Sequence, residues 1–248
     1  MMKVSGLLAD LAGKLQMLDG VCDEHGPASV LVRREKAHWH CPACLERTIA
    51  DERMGMVLAE HTSALMASAS IPPRYVGQRF VVASAEQKAV RVQVKAFRDF
   101  IVAQPRWAAL VLAGECGTGK TLLACEFVES MIRNLRMSAR YVTAKGMISE
   151  IQATYGREGR SEETEIERFA GYDVLVIDEI DAKPDTPNAN LLLNEIVNRR
   201  YSNGKPVVVI TNQKFAQLGQ FVGDRVFSRL HENAFVCAHT WADARKAA

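Results

Sequence analysis

Residues 114–121 of this 248-residue chain read GECGTGKT. An apolar run at 108–113 leads into it, and apolar residues at helical spacing follow it, namely Leu122, Leu123, Phe127 and Val128. Its glycines let backbone N–H groups turn towards a phosphate without a clash from a Cβ atom. A strand, a glycine-rich loop and a helix in this order are typical of a phosphate-binding loop.

The last two residues of this loop predict how a nucleoside triphosphate and its metal are held. Lys120 can reach the β- and γ-phosphates, and the Thr121 hydroxyl can bind Mg²⁺ at the positive end of the following helix. The residues expected to contact the nucleotide are Gly114, Glu115, Cys116, Gly117, Thr118, Gly119, Lys120 and Thr121.

Five short apolar runs predict a buried parallel sheet. They lie at 108–113, 140–143, 173–178, 206–211 and 234–238. Segments with helical periodicity separate them, and short branched runs alternating with helices are typical of parallel strands joined by crossover helices. We therefore expect an α/β fold with a five-stranded parallel sheet.

Two acids follow the third of these runs. Asp178 and Glu179 stand at the carboxyl end of a predicted strand, which in a doubly wound sheet lies beside the phosphate loop. We expect Asp178 to hold Mg²⁺ through water and Glu179 to polarise the attacking water. The alternative is a pair of surface acids that merely end a strand.

Later positions suggest a sensor and an arginine finger. Asn212 follows the fourth run, where an amide can orient water and contact the γ-phosphate, although it could be an ordinary turn residue. Arg225 or Arg229 could stabilise charge on the nucleotide of a neighbouring subunit, or form a salt bridge on a helix face. We favour Arg225 by its position in the motif.

Cysteine and histidine residues near the N-terminus predict a zinc site. Cys22 and His25 form one pair and Cys41 and Cys44 a second, each spaced so that a turn directs both side chains at one ion. Two other histidines compete with His25 as the fourth ligand, namely His38 and His40. Four protein ligands leave no open position, so the zinc is expected to be structural and to fold a polar segment.

Helical spacing and prolines predict the division of the chain. Leucines at helical spacing suggest a helix at 5–19, and a second is expected at 45–69. Ile71-Pro72-Pro73 cannot continue that helix. We expect a small α-helical zinc-binding domain at 1–69, a linker and first ATPase helix at 70–106, and the ATPase domain at 107–248.

Composition excludes some classes. No apolar stretch is long enough to span a bilayer and no signal peptide is apparent, so we expect a cytoplasmic protein that does not contact membranes. Six cysteines then suggest thiols or metal ligands. The net charge is only +2, but 71–106 holds seven Lys or Arg against two acids, while 161–198 holds ten acids against two bases. Such a distribution can steer an anionic partner to one face.

The order of these motifs resembles that of AAA+ ATPases, whose pattern matches Lys120, Thr121, Asp178, Glu179, Asn212 and Arg225. Four stretches further resemble the DnaC-type bacterial replicative helicase loaders, namely 71–75, 177–180, 198–200 and 224–229. The similarity covers about 71–245, and the compact arrangement resembles phage-encoded members. Trp241 with Arg245 resembles the closing segment of the family, in which the arginine reports on the nucleotide.

This resemblance implies an AAA+ P-loop core that binds ATP and Mg²⁺, self-associates, and delivers a replicative DNA helicase onto single-stranded DNA. The N-terminal domain would contact the helicase, and hydrolysis would act as the release switch. The same motifs also suit an IstB-type transposition helper that binds duplex DNA. A small-molecule kinase with a metal-bound lid and a zinc-containing DNA adaptor without hydrolysis are further alternatives.

One segment is a candidate DNA contact. Residues 144–170 are longer than a simple crossover, and initiator-type AAA+ proteins resemble this in carrying an extra helix here that follows single-stranded DNA. Basic residues with one aromatic suit binding that tolerates any sequence. We expect Lys145 and Tyr155 to contact DNA, with Arg157 and Arg160 nearby. An ordinary solvated crossover helix is the alternative.

Overall fold

The computed structural model describes residues 15–33, 38–104, 106–156, 159 and 161–243. The chain divides into two units, residues 1–61 and 62–248. This division falls inside a long helix, before Ile71-Pro72-Pro73. The reason is that Ala69 is fully buried in the second unit, where its carbonyl accepts a hydrogen bond from the Tyr141 N–H at 2.8 Å.

The first unit contains a hairpin and most of a helix. Strands β1 (Leu15–Cys22) and β2 (Gly26–Arg33) pair antiparallel, and helix α1 spans Pro42–Ser68, close to the predicted 45–69. The helix predicted at 5–19 is wrong for residues 15–19, because cross-strand pairing with β2 replaces the helical spacing. The rest of that predicted helix lies outside the described residues.

Helix α2 (Ala85–Ala103) begins the second unit's regular structure. The Ser84 hydroxyl accepts the Gln87 N–H, and the Gln87 side chain accepts the Ser84 N–H, which makes a capping box. From 87 to 104 the helical spacing of the sequence predicts one apolar face, and the structure buries its four residues, namely Val90, Val94, Phe97 and Ile101. The periodicity therefore identified both this helix and its inner face.

The predicted five-stranded parallel sheet is confirmed. Its strands are β3 (Ala109–Gly114), β4 (Ala139–Thr143), β5 (Val174–Asp178), β6 (Val207–Thr211) and β7 (Ala234–His239). They lie in the order β4-β5-β6-β3-β7, and every pair is parallel. The chain passes from β3 to β4 at one edge of the sheet, and β5 and β6 then fill the positions between β4 and β3, whereas β7 lies on the other side of β3. The loop after β3 therefore lies at the switch point of the sheet.

Among the described residues, six α-helices connect these strands: α3 (Lys120–Leu135), α4 (Ala144–Gln152), α5 (Glu162–Gly171), α6 (Pro187–Ser202), α7 (Gly219–Val222) and α8 (Asp224–His231). Both faces of the sheet are buried, since Val111 belongs to one apolar cluster and its neighbour Leu110 to another. None of the described helices, even the 27-residue α1, has the apolar length needed to cross a bilayer.

Arg200 is a fully buried cation that holds a helix end. Its Nη1 donates to the carbonyl oxygens of Phe169 and Ala170 at 3.0 and 3.1 Å and to that of Tyr172 at 2.8 Å. These carbonyls end α5, where no helical N–H remains to bond them. Burial lowers the pKa of Arg200 to about 9. This arginine of the 198–200 stretch is therefore a structural residue.

Candidate functional site

The phosphate loop joins β3 to α3, as predicted. Gly117 and Gly119 have φ angles of +80° and +84°, and Gly119 is the N-cap of α3. Such left-handed angles favour glycine and allow the loop to wrap around an anion. Lys120 is only 5% exposed and donates to the carbonyl oxygens of Gly114 and Glu115 at 2.6 and 2.7 Å. The lysine is therefore folded over the loop that it closes.

Asp178 is buried beside this loop and accepts three hydrogen bonds. Its Oδ2 accepts the hydroxyls of Thr121 at 2.9 Å and Tyr141 at 2.6 Å, and its Oδ1 accepts the Glu179 N–H at 2.7 Å. Hydroxyl and carboxylate oxygens are the ligands that Mg²⁺ prefers. Thr121 and Asp178 therefore form an oxygen set suited to that ion.

The sheet brings the remaining predicted groups to the same edge. Ala113 of β3 pairs with Thr211 of β6, so Asn212 follows directly beside the phosphate loop. Asn212 and Gly114 line one cavity of about 730 Å³. Glu179 is exposed and left-handed, with a φ of +52°. Its side chain is thus open to solvent while that of Asp178 is buried.

Asp181 is a residue of this edge that the sequence did not identify. Its carboxylate accepts the Asn212 N–H and the Gln213 side chain, each at 3.4 Å. These contacts join the turn after β5 to the turn after β6. The spacing along the chain gives no sign of this pairing, because it depends on the order of strands in the sheet.

The segment after β7 also contacts the phosphate loop. His239 Nδ1 lies 3.2 Å from the Thr118 carbonyl oxygen, and Trp241 Nε1 donates to the same oxygen at 3.1 Å. A Cβ at Gly117 would overlap the Asp243 carboxylate, so that carboxylate lies against the loop. Burial lowers the pKa of His239 to about 4. Arg245, predicted to report on the nucleotide, lies outside the described residues.

The two candidate finger arginines have different surroundings. Arg229 donates to the side-chain oxygens of Asn194 and Asn198 at 3.2 and 2.6 Å. Arg225 is exposed, and in the part of the chain that the structure describes its side chain has no hydrogen bond or ion pair. Arg225 lines a groove of about 590 Å³ beside Asn194, separate from the cavity at the phosphate loop. It is the arginine available to another molecule.

Cys22, His25, Cys41 and Cys44 come together, with all their ligand atoms within 4.8 Å of one another. The sulfurs of Cys22 and Cys44 are 3.7 Å apart, and His25 Nδ1 lies 3.5–3.6 Å from the three sulfurs. Zinc–ligand distances of about 2.3 Å to sulfur and 2.0 Å to nitrogen give tetrahedral edges of about 3.8 and 3.5 Å. The residues therefore fit tetrahedral zinc.

The same geometry shows which histidine joins the three cysteines and how the side chains of the group affect one another's pKa. His38 and His40 are exposed and are not in this group, which leaves His25 as the fourth member. The hydrogen bond with His25 lowers the pKa of Cys22 to about 6, whereas the bond with Cys22 raises the pKa of Cys44 to about 11. Ligands this close share protons that a bound cation would displace.

The candidate DNA residues lie at opposite ends of one helix. The predicted extra helix is present, since both α4 and α5 lie between β4 and β5. Lys145 is exposed in the first turn of α4, and Tyr155 is 50% exposed just beyond its end. The Tyr155 hydroxyl donates to Glu162, so an acid adjoins this aromatic. Arg157 and Arg160 lie outside the described residues.

This fold and site define a P-loop nucleotide-binding protein of the AAA+ class. The sequence model of the family described as IstB-like ATP binding protein matches residues 48–231. The chain belongs to this family, whose members are AAA+ ATPases. The resemblance predicted from the motifs is thereby confirmed.

Several known proteins are similar to parts of the chain. The replicative helicase loader DnaC of Escherichia coli strain K12 is 29% identical over 123 residues, which cover 50% of each chain. The uncharacterized protein YdaV of the same strain is 29% identical over 121 residues, covering 49% of this chain and 48% of that one. The chain thus spans about half the length of the curated relatives it matches.

Solved structures show the shared fold. A crystal structure of the DnaC helicase loader superposes with a TM-score of 0.60 at 20% identity, covering 67% of this chain and 99% of that one. The replication initiator DnaA bound to AMPPCP and single-stranded DNA gives 0.56 at 18% identity, covering 68% and 50%. DnaI gives 0.55 at 16% identity, covering 70% and 94%.

Proposed function

We propose that this protein is an ATP-dependent loader that binds the replicative DNA helicase and delivers it onto single-stranded DNA, with ATP hydrolysis as the release switch. The observation that carries the proposal is the convergence of the phosphate loop, Asp178, Glu179 and Asn212 at one edge of the sheet. Similarity to DnaC supports the assignment of the helicase as partner.

Each polar group at this edge has one part in hydrolysis. The loop amides and Lys120 bind the phosphates, and Thr121 and Asp178 would hold Mg²⁺, which neutralises charge on the phosphates when bound. Glu179 polarises the attacking water from its exposed position. Asn212 orients that water beside the loop. The positions of Asp178 and Asn212 beside Gly114–Thr121 support these roles.

Self-association completes the site in this proposal. Arg225 is exposed and belongs to a groove separate from its own phosphate loop. A guanidinium with no internal partner among the described residues is free to approach the nucleotide of a neighbouring copy. ATP would then favour the assembled form because both copies contact it.

The zinc unit is proposed to contact the helicase. Cys22, His25, Cys41 and Cys44 would hold zinc, which fixes the turn of the β-hairpin to the start of α1. Leu45, Ile49 and Met56 are exposed and share one face of α1 by helical geometry. These apolar side chains, with the exposed Glu52 between Ile49 and Met56 on the same face, offer a mixed surface to a protein partner.

Lys145 and Tyr155 are proposed to contact the single strand. Lys145 offers a charge to the backbone and the half-exposed Tyr155 ring offers a face for stacking. Lys145 lies in the first turn of α4 and Tyr155 just past its end, and the nine residues of this helix span about 13 Å at about 1.5 Å each. That span suits several nucleotides of an extended strand.

Co-purification with the host replicative helicase tests the proposal. Tagged full-length protein should retain helicase, and ATP should change the amount retained. Lys120→Ala should abolish the effect of ATP but leave basal retention, whereas Lys88→Ala, an exposed lysine on α2, should behave as wild type. If no helicase is retained either with or without ATP, the assignment as a helicase loader is wrong.

The family match supports a second function. The matching family takes its description from IstB, and the notable alternative is a transposition helper that binds duplex DNA in an ATP-dependent manner. Filter binding with duplex and single-stranded DNA, with and without ATP, separates the two. Strong ATP-dependent binding to duplex DNA, together with absent helicase retention, would favour the helper.

A further inference from the structure

Tyr141 reaches Asp178 from a neighbouring strand. It lies on β4 with 9% of its surface exposed, and its hydroxyl donates to Asp178 Oδ2 at 2.6 Å. The parallel register pairs Thr143 with Asp178 and Tyr141 with Val176. Tyr141 is thus two residues short of the aspartate and on the same face, and its long side chain covers that distance.

Hydrogen bonds to both oxygens fix the orientation of the Asp178 carboxylate. Oδ2 accepts two hydroxyls, those of Thr121 and Tyr141, and Oδ1 accepts the Glu179 N–H. All three donors are neutral, and Asp178 is only 4% exposed. A buried carboxylate depends on such hydrogen bonds for its stability and its orientation.

Tyr141 and Thr121 differ in what they must do when the nucleotide binds. The Thr121 hydroxyl has to offer its oxygen to Mg²⁺ while its proton still points at Asp178. The Tyr141 hydroxyl donates to the same Oδ2, and among the described residues it has no other hydrogen-bond partner. It therefore keeps the carboxylate from rotating away while Thr121 engages the metal.

We propose that Tyr141 is a positioning residue for the magnesium site, acting through Asp178. This inference rests on the proposed ATPase function. Strand β4 then contributes to the magnesium site through Tyr141, alongside the phosphate loop and the strand β5 that carries Asp178. Without the hydroxyl, Oδ2 keeps one donor, that of Thr121, and the carboxylate is otherwise held only by the Glu179 N–H at Oδ1.

The test is Tyr141→Phe in the full chain, which removes one oxygen and keeps the ring. ATP binding is measured by equilibrium titration while Mg²⁺ is varied from none to excess. The variant should need about tenfold more Mg²⁺ for half-maximal tightening of ATP binding. Its affinity without added Mg²⁺ should stay within about twofold of wild type, because no phosphate contact is lost.

A matched control is Tyr201→Phe. The Tyr201 hydroxyl donates to Glu232 at 2.7 Å, another tyrosine–carboxylate pair, but away from the phosphate loop. That variant should leave the Mg²⁺ requirement unchanged. In an Asp178→Asn background, Tyr141→Phe should add less than about a twofold further change, because its effect passes through the carboxylate.

Three results would overturn the inference. One is an unchanged Mg²⁺ requirement in Tyr141→Phe. Another is an equal loss of ATP affinity with and without Mg²⁺, which would mark Tyr141 as a general packing residue. The third is an undiminished effect in the Asp178→Asn background. Failure of the wild-type chain to bind ATP at any Mg²⁺ concentration would instead remove the proposed function, and this inference with it.

Discussion

Glu179 adopts a left-handed backbone conformation directly after the buried strand that carries Asp178. Non-glycine residues hold such angles at a small energetic cost, and they concentrate at functional sites. Here the conformation turns an exposed carboxylate out of the strand while its neighbour stays buried. Two adjacent acids thereby occupy different environments, which suits the separate metal-binding and water-polarising roles that we propose for them.

Glu179→Gln should uncouple binding from hydrolysis. The amide keeps the size of the side chain but cannot polarise water, so the rate of phosphate release should fall by about 10²- to 10⁴-fold. ATP affinity should stay within about twofold, since the loop is untouched. Glu167→Gln, an exposed acid on α5, is the control. Unchanged turnover in Glu179→Gln would show that another group activates the water.

His239 predicts a pH dependence of stability. Its pKa is lowered from 6.5 to about 4, first by burial and also by the charge of Lys120. The unfolded chain therefore binds a proton near pH 6.5 that the folded chain refuses until about pH 4. The contribution of His239 to the free energy of unfolding is fully present above pH 6.5. It is lost as the pH falls from 6.5 to about 4, by up to about 3 kcal/mol.

Denaturant unfolding of His239→Gln measures this contribution. The variant should lose less stability than wild type between pH 6.5 and 4, even if its stability at neutral pH is lower. His231→Gln, an exposed histidine, should follow the wild-type curve. Parallel curves for wild type and His239→Gln would contradict the assignment to this residue.

The short segment that follows β7 packs against the phosphate loop. His239 and Trp241 lie against the Thr118 carbonyl, and the Asp243 carboxylate lies against Gly117. A carboxylate and a phosphate repel each other when both are close to the same loop. We therefore expect that, when a nucleotide binds, the Asp243 carboxylate moves away from the loop or its negative charge is neutralised.

Asp243→Asn should raise affinity for ATP. Removing the charge while keeping the size of the side chain should tighten binding by about tenfold, which corresponds to about 1.4 kcal/mol. Equilibrium titration with Mg²⁺ measures it, and Asp51→Asn, an exposed acid of the first unit, controls for net charge. Equal or weaker binding by Asp243→Asn would mean that its carboxylate does not oppose the nucleotide.

Local sequence patterns predicted most of the elements. The inner face of α2 follows from a repeat of 3.6 residues, and the five strands follow from short apolar runs separated by helical segments; both were found. The hairpin was missed because pairing between β1 and β2 overrode a helical spacing of leucines. Tyr141, Asp181 and Asp243 were missed because their contacts depend on which strands are neighbours, and spacing along the chain does not encode that order.

At the scale of the whole molecule, the chain has two units with different sources of stability. The second unit has two apolar clusters on the faces of its sheet. In the first unit, by contrast, Met17, Val21, Leu31 and Met56 are exposed. A unit with little apolar burial depends on other constraints, and four clustered ligands provide one.

Zinc removal should therefore affect the units separately. A zinc-selective chelator should make residues 15–61 sensitive to protease and abolish helicase retention, because the ligands no longer hold the hairpin to α1. ATP affinity in the presence of Mg²⁺ should stay within about twofold. Metal analysis accompanies the experiment. Helicase retention that survives complete loss of zinc would argue against a docking role for this unit.

We propose that this chain places a helicase on DNA under the control of ATP. The direct measurement is the amount of replicative helicase recovered on closed circular single-stranded DNA, with and without this protein and ATP. Helicase should accumulate on the circles only when both are present, and Glu179→Gln should leave this protein trapped with it. Equal recovery of helicase in the absence of this protein would show that the chain is not a helicase loader.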